Sequence, residues 1–165
     1  MIHFLLLLTF IITYKNYFYR QYLITSIYKK EMSFKMQNLQ VLIIDDHKTM
    51  LKIITNLLNQ IGISNIEEAT DGQAALQKLG QKKYDLIISD WNMMPMTGLE
   101  LVQNIRGNPQ YQHQNAPFIM VTAESKPENV MEAAKAGVNN YIVKPFSADT
   151  MEQKIKATLE KFKMI

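Results

Sequence analysis

The sequence predicts a doubly wound α/β domain with a parallel sheet over Met36–Ile165. Three observations predict it. Five short apolar runs alternate with five amphipathic stretches. The first of those runs is continuous rather than alternating, as strands buried on both faces are. Glycine, serine or aspartate stands at the junctions where helices start and stop.

The first strand is Val41–Ile44 (VLII). Met50, Ile54, Leu57, Leu58 and Ile61 then recur at helical spacing, and Gly62 stops that helix. A second strand at Ile66–Ala69 leads to Asp71, an N-cap for a helix over 72–79. The third strand, 86–89, runs into Asp90, and Leu99, Leu101, Val102 and Ile105 outline the next helix. A fourth strand occupies 118–121, followed by an alanine-rich helix over 128–136 closed by Gly137. The fifth strand is 141–143, and Lys144-Pro145 follows it. Ser147 caps the last helix, whose Met151, Ile155, Leu159 and Phe162 recur every three or four residues.

The chain has 165 residues, 47% of them apolar and 20% charged, values suited to one ordinary globular domain. It has no cysteine, which excludes disulfides, thiolate zinc sites and cysteine nucleophiles and fits a reducing cytoplasm. The charge is uneven. Met1–Lys35 carries Lys15, Arg20, Lys29, Lys30 and Lys35 against Glu31 alone, and the rest holds 13 Lys/Arg against 14 Asp/Glu. The globular part therefore offers no polycation, and no nucleic-acid partner is expected.

Met1–Lys35 stands apart as an N-terminal extension, apolar and then basic. Its run FLLLLTFII is half the roughly 20 residues that a spanning helix needs. Only His3 precedes the run and no small-residue cleavage site follows, so it is a poor signal peptide. Its Leu, Ile, Phe, Tyr, Lys, Asn and Thr are residues that AT-rich DNA encodes when read through. That composition favours a misplaced start, with the domain beginning near Met32 or Met36, ahead of a membrane anchor through residues 1–20. An anchor would pair the apolar run with the aromatic and basic residues behind it.

In an open parallel sheet, ligands bind beyond the carboxyl ends of the strands. The residues there are Asp45 and Asp46, then Asp90, then Thr122 and Ala123, then Lys144. Each alone has an ordinary reading as a turn, a cap or a solvated loop. Together they place three carboxylates, a hydroxyl and an ammonium in one crevice. Two like charges about 4 Å apart repel by roughly 4 kcal/mol at an effective dielectric near 20. A hard cation relieves that cost, and Mg²⁺ held by carboxylates and water suits these donors.

The segments VLIIDDH, ISDWNMMPMTG, IMVTAE and YIVKPF resemble the signature segments of response-regulator receiver domains. EEATDG, GLELVQNIR and the sole tryptophan, Trp91, are similar to the chemotaxis members of that family. The resemblance implies a flavodoxin-like sheet of strand order 2-1-3-4-5 with five helices. It implies that Asp90 is the phosphoacceptor, that Asp45, Asp46, Asp90 and the Asn92 backbone carbonyl hold Mg²⁺, and that Thr122, Ala123 and Lys144 contact the phosphoryl group. It makes Tyr141 the switch residue and Asn92 and Glu124 the residues that tune hydrolysis. Val130, Ala134, Tyr141 and Lys154 match the face that meets the flagellar motor switch protein.

The implied function is a monomeric, cytoplasmic, single-domain response regulator that takes phosphate from a histidine kinase and returns it with or without a phosphatase. It is not an enzyme beyond assisting its own phosphorylation and dephosphorylation. A membrane-tethered receiver serving another pathway is the alternative. A haloacid-dehalogenase-type phosphatase fits less well, because Asn92 stands where that class has a second acid. Four departures from the family pattern stand out. Met94 occupies a usual proline position, with Pro95 one residue later. Thr97 replaces a common aspartate, and Pro127 stands where the partner face often has lysine. The segment 107–116 is slightly longer than usual.

Overall fold

A computed structural model describes residues 2–109, 114–123 and 126–165, with residues 2–16 and 18 described in backbone alone. The chain divides into two compact units, Met1–Lys35 and Met36–Ile165. Helix α1 (Ile2–Gln37) makes up the first unit and continues two residues past it. Its described part exposes Tyr17, Tyr22, Ile24, Ile27 and Phe34. Local contacts hold it, among them a Glu31–Lys35 ion pair one turn apart at 3.3 Å. No helix among the described residues is long and apolar enough to cross a membrane.

The second unit contains the five expected strands and five expected helices. In order they are β1 (Val41–Ile44), α2 (Lys48–Gln60), β2 (Ile66–Ala69), α3 (Gly72–Gln81), β3 (Leu86–Asp90) and α4 (Gly98–Gly107). There follow β4 (Phe118–Thr122), α5 (Pro127–Ala136), β5 (Asn140–Val143) and α6 (Ala148–Lys161). The strands pair in parallel in the order β2-β1-β3-β4-β5. Strand order reverses at β1, which places the crevice between β1 and β3.

Every residue of β1, β3 and β4 is buried, which explains why these strands are apolar on both faces. Leu42, Ile44, Ile87, Phe118 and Met120 meet Leu79 of α3 and Leu101, Val102 and Ile105 of α4. The alternate strand residues Ile43, Ile88 and Ile142 are buried too, as are Leu51, Ile54 and Leu58 of α2 and Met151, Ile155 and Leu159 of α6. Each such side chain contributes roughly 1.5–3 kcal/mol by leaving water.

The junction residues act as their chemistry suggests. Asp71 accepts a hydrogen bond from the Ala74 amide at 2.8 Å, and Ser147 accepts one from Thr150 at 3.2 Å. Gly62 and Gly137 have φ of 88° and 97°, a left-handed conformation that a side chain disfavours. Both close their helices with paired backbone bonds, Ile63 to Leu58 and Val138 to Ala133. Arg106, at the end of α4, donates to the carbonyls of Gln114, Ala116 and Gly137 and to Asn139 Oδ1. One guanidinium thus clasps the entry to β4 against the turn before β5.

Candidate functional site

Parallel register brings the strand ends together. Ile44 pairs with Ser89, Asp90 with Val121, and Thr122 with Val143. Asp45 follows β1, Asp90 ends β3, Thr122 ends β4 and Lys144 follows β5. Asp45 is fully buried, Thr122 is 2% exposed and Asp90 5%. Lys144 reaches across the crevice to donate to Asp90 Oδ1 at 2.8 Å and to Asp45 Oδ2 at 3.3 Å. One ammonium therefore ties the ends of three strands.

Backbone amides fix the two carboxylates. Asp45 Oδ1 accepts from the His47 amide at 2.8 Å, and Asp90 Oδ2 from the Asn92 amide at 3.0 Å. Burial pushes the Asp90 carboxyl above its ordinary range, against the pull of Lys144, and Asp45 adds to the rise. Burial alone would depress Lys144, but Asp90 and Asp45 more than reverse this, and its ammonium is held above the usual value. Lys144 is accordingly a fixed positive charge in the crevice.

Asp45 also belongs to a second group, with its neighbours Asp46 and His47. Asp45, Asp46 and His47 each present a ligand atom, all within 4.8 Å of one another. The carboxylate oxygens are hard donors of the kind Mg²⁺ takes, so the residues fit that ion. Asp90 is linked to this group through Lys144 and Asp45.

The remaining candidates fall around the crevice and along one edge. Ala123 is exposed just past Thr122, and the Asn92 side chain is exposed beside Asp90. Tyr141 lies on β5 opposite Met120, two rungs from the Thr122–Val143 pair, so Thr122 and Tyr141 share a face of the sheet. Its ring is half-buried against the core, with Lys154 Nζ 5.2 Å from the ring centroid. Val130 is half-buried and Ala134 exposed on α5. Glu124 lies outside the described residues.

Two residues were not read as functional from sequence. Thr97 is the N-cap of α4 in a full capping box: it accepts from the Glu100 amide, and the Glu100 carboxylate accepts from the Thr97 amide at 2.8 Å. The T-x-x-E spacing signals it, and the departure from aspartate preserves a firm start for the helix after Asp90. His47 is the other, at the N-cap of α2, where a small oxygen-bearing side chain is the usual choice.

Residues 41–156 match the family described as the response regulator receiver domain. This chain belongs to that family. Among similar receivers, the chemotaxis protein CheY-3 of Vibrio cholerae is 45% identical over 125 residues, 76% of this chain and 95% of that protein. The chemotaxis protein CheY of Pseudomonas aeruginosa is 44% identical over 123 residues, 74% of this chain and 98% of that one. The solved chemotaxis response regulator CheY4 of Vibrio cholerae has a TM-score of 0.66 at 34% identity, covering 72% of this chain and 97% of that one. The receiver domain of Francisella response regulator 1452 has a TM-score of 0.68 at 31% identity, covering 76% and 99%. Receivers are signalling domains rather than classical enzymes, so the phosphatase reading loses its support.

Proposed function

We propose that this receiver takes a phosphoryl group from a histidine kinase onto Asp90 and signals by phosphorylation-dependent protein binding, in the control of flagellar rotation. The observation that carries the reading is Asp90 itself, buried at a strand end, amide-bonded on one oxygen and paired with Lys144 on the other. In the transfer, a carboxylate oxygen of Asp90 forms the new P–O bond as the P–N bond to the donor imidazole breaks. Such transfers depend on in-line positioning and charge neutralisation. A bound Mg²⁺, held by Asp45 and Asp46 with Asp90 and the Asn92 carbonyl, would neutralise the transferring oxygens. Lys144 would pair with one of those oxygens, while the Thr122 hydroxyl and the Ala123 amide donate hydrogen bonds to others. Asn92, with Glu124 as the family resemblance implies, would set the rate at which the acyl phosphate hydrolyses.

Output would follow from the shared face of Thr122 and Tyr141. Drawing Thr122 toward the phosphoryl group frees space into which the half-buried Tyr141 ring turns. A switch from 1:99 to 99:1 takes about 5.5 kcal/mol of differential stability. One charge-assisted hydrogen bond supplies roughly 1.5–3 kcal/mol, so phosphorylation gives a partial shift that a bound partner completes. Val130, Ala134, Tyr141 and Lys154 form the face it meets. The test is affinity for the flagellar motor switch protein with and without phosphorylation. Wild type gains roughly 10-fold or more on phosphorylation, and Thr122→Ala and Tyr141→Ala each lose most of that gain. A full gain in both variants would overturn the coupling.

Membrane tethering is a second reading, favoured by the large apolar side chains that α1 exposes beside Arg20, Lys29 and Lys30. Flotation with vesicles of anionic phospholipid separates the two. A tethered receiver floats as the full chain and stays in solution without residues 1–35. Flotation of neither form removes the tether, and phosphorylation of the shortened chain shows that the domain stands without its extension.

A further inference from the structure

Strand β5 lies at the edge of the sheet, and its neighbours Asn140 and Tyr141 point to opposite faces. Tyr141 packs on the face that carries α3 and α4, whereas Asn140 turns to α6. Asn140 Nδ2 donates to the Lys154 carbonyl at 3.4 Å and to Thr158 Oγ1 at 3.3 Å. Thr158 is fully buried and donates its hydroxyl to that same carbonyl at 2.7 Å, so the joint closes on itself. The other end of the side-chain amide, Oδ1, accepts from the Tyr141 amide at 3.0 Å and from Lys154 Nζ at 3.3 Å. Lys154 therefore reaches round the open edge of β5. Its stem starts on α6, and its ammonium stands 5.2 Å from the centroid of the Tyr141 ring.

An ammonium on a flexible four-carbon stem loses rotamer freedom when it keeps one place, so a weak attraction to a ring face needs a second anchor. Asn140 Oδ1 supplies that anchor. We propose that Asn140 is a positioning residue of the switch, holding Lys154 over Tyr141 so that the ring stays in its half-buried place. The proposal rests on the reading of Tyr141 as the residue whose turn signals phosphorylation. The brace favours one of two ring positions and so sets the population from which phosphorylation starts. Without it the ring turns inward more often, and unphosphorylated receiver engages its partner more readily. These bonds end on neither Asp90 nor Lys144, so the brace acts on the output and not on the transfer.

Fluorotyrosine NMR on the full chain reads the ring directly, the Tyr141 signal being the one lost in Tyr141→Phe. In unphosphorylated protein, Asn140→Ala shifts that signal toward the position that phosphorylation gives it in wild type. Lys154→Met does the same and tests the ammonium with the joint between β5 and α6 intact. Combining the two moves the signal no further, because Asn140 acts through Lys154. Asn140→Asp keeps the oxygen that accepts from Lys154 and leaves the signal where wild type has it. Affinity of unphosphorylated Asn140→Ala for the flagellar motor switch protein rises about 3- to 10-fold. Its phosphate uptake stays within about 2-fold of wild type. An unmoved Tyr141 signal in both single variants overturns the brace, and a full further shift in the double variant overturns its route through Lys154. A wild-type signal indifferent to phosphorylation overturns the switch reading instead. The brace is then judged by the displacement from wild type that Asn140→Ala and Lys154→Met share.

Discussion

Replacing Asp90 with asparagine abolishes phosphate incorporation from a small acyl phosphate, while Thr122→Ala still accepts it. The expected loss is on the order of 10³-fold or more, because an amide oxygen is no substitute for a carboxylate nucleophile. Intact-mass spectrometry reads the outcome directly, and stoichiometric phosphate on Asp90→Asn protein would identify a different acceptor. The pH profile carries further information. A carboxyl must be ionised to act as the proposed phosphoacceptor, and burial raises the Asp90 pKa above that of an ordinary aspartate. Incorporation therefore falls, on acidification, at a higher pH than an exposed aspartate would allow. Lys144 opposes the rise, so Lys144→Ala moves that acid limb higher still.

Gly98→Ala should be the most damaging single-methyl change near the crevice. A Cβ at Gly98 falls inside the van der Waals envelope of the Asp90 carbonyl oxygen and 2.8 Å from Met120 Sδ. Backbone must move to admit it, and the backbone concerned carries Asp90, the proposed phosphoacceptor. Gly98 also donates its amide to the Trp91 carbonyl at 2.9 Å, which holds the loop closed. A cost of about 2–4 kcal/mol follows, with a fall in Tm of roughly 5–15 °C and slower phosphorylation. Gly80→Ala is the control, because nothing lies within 4 Å of a Cβ there. It should be stabilising by up to about 1 kcal/mol through helix propensity. A Gly98→Ala protein melting within a degree of wild type would show that the loop yields freely.

Much of this was legible in the residues. Continuous apolar runs marked β1 and β4, and Asp71, Ser147, Gly62 and Gly137 announced helix ends because their chemistry acts within a few residues of itself. The crevice was legible through strand ends, since parallel order places those ends together. What escaped depends on three dimensions or on a masked period. Lys144 and Asp45 are 99 residues apart, so the bridge between them has no local signature. Helix α1 escaped because residues 4–12 are apolar at nearly every position and show no helical face. His47 escaped because a lone histidine after two aspartates reads as a turn until its ring is seen beside them.

Lys144 is, in the terms of polymer networks, a cross-link with exchangeable ends. Its nitrogen joins strands that are distant in sequence, and it holds the two carboxylates unequally, at 2.8 and 3.3 Å. An anion arriving on Asp90 competes for that nitrogen and loosens or re-aims the tie to β1 without breaking a single rung of the sheet. The carboxyl edge is thus stiffened by one removable charge contact, while its interior is stiffened by backbone ladders that no ligand touches. A fold built this way can change the compliance of one edge and keep its shape.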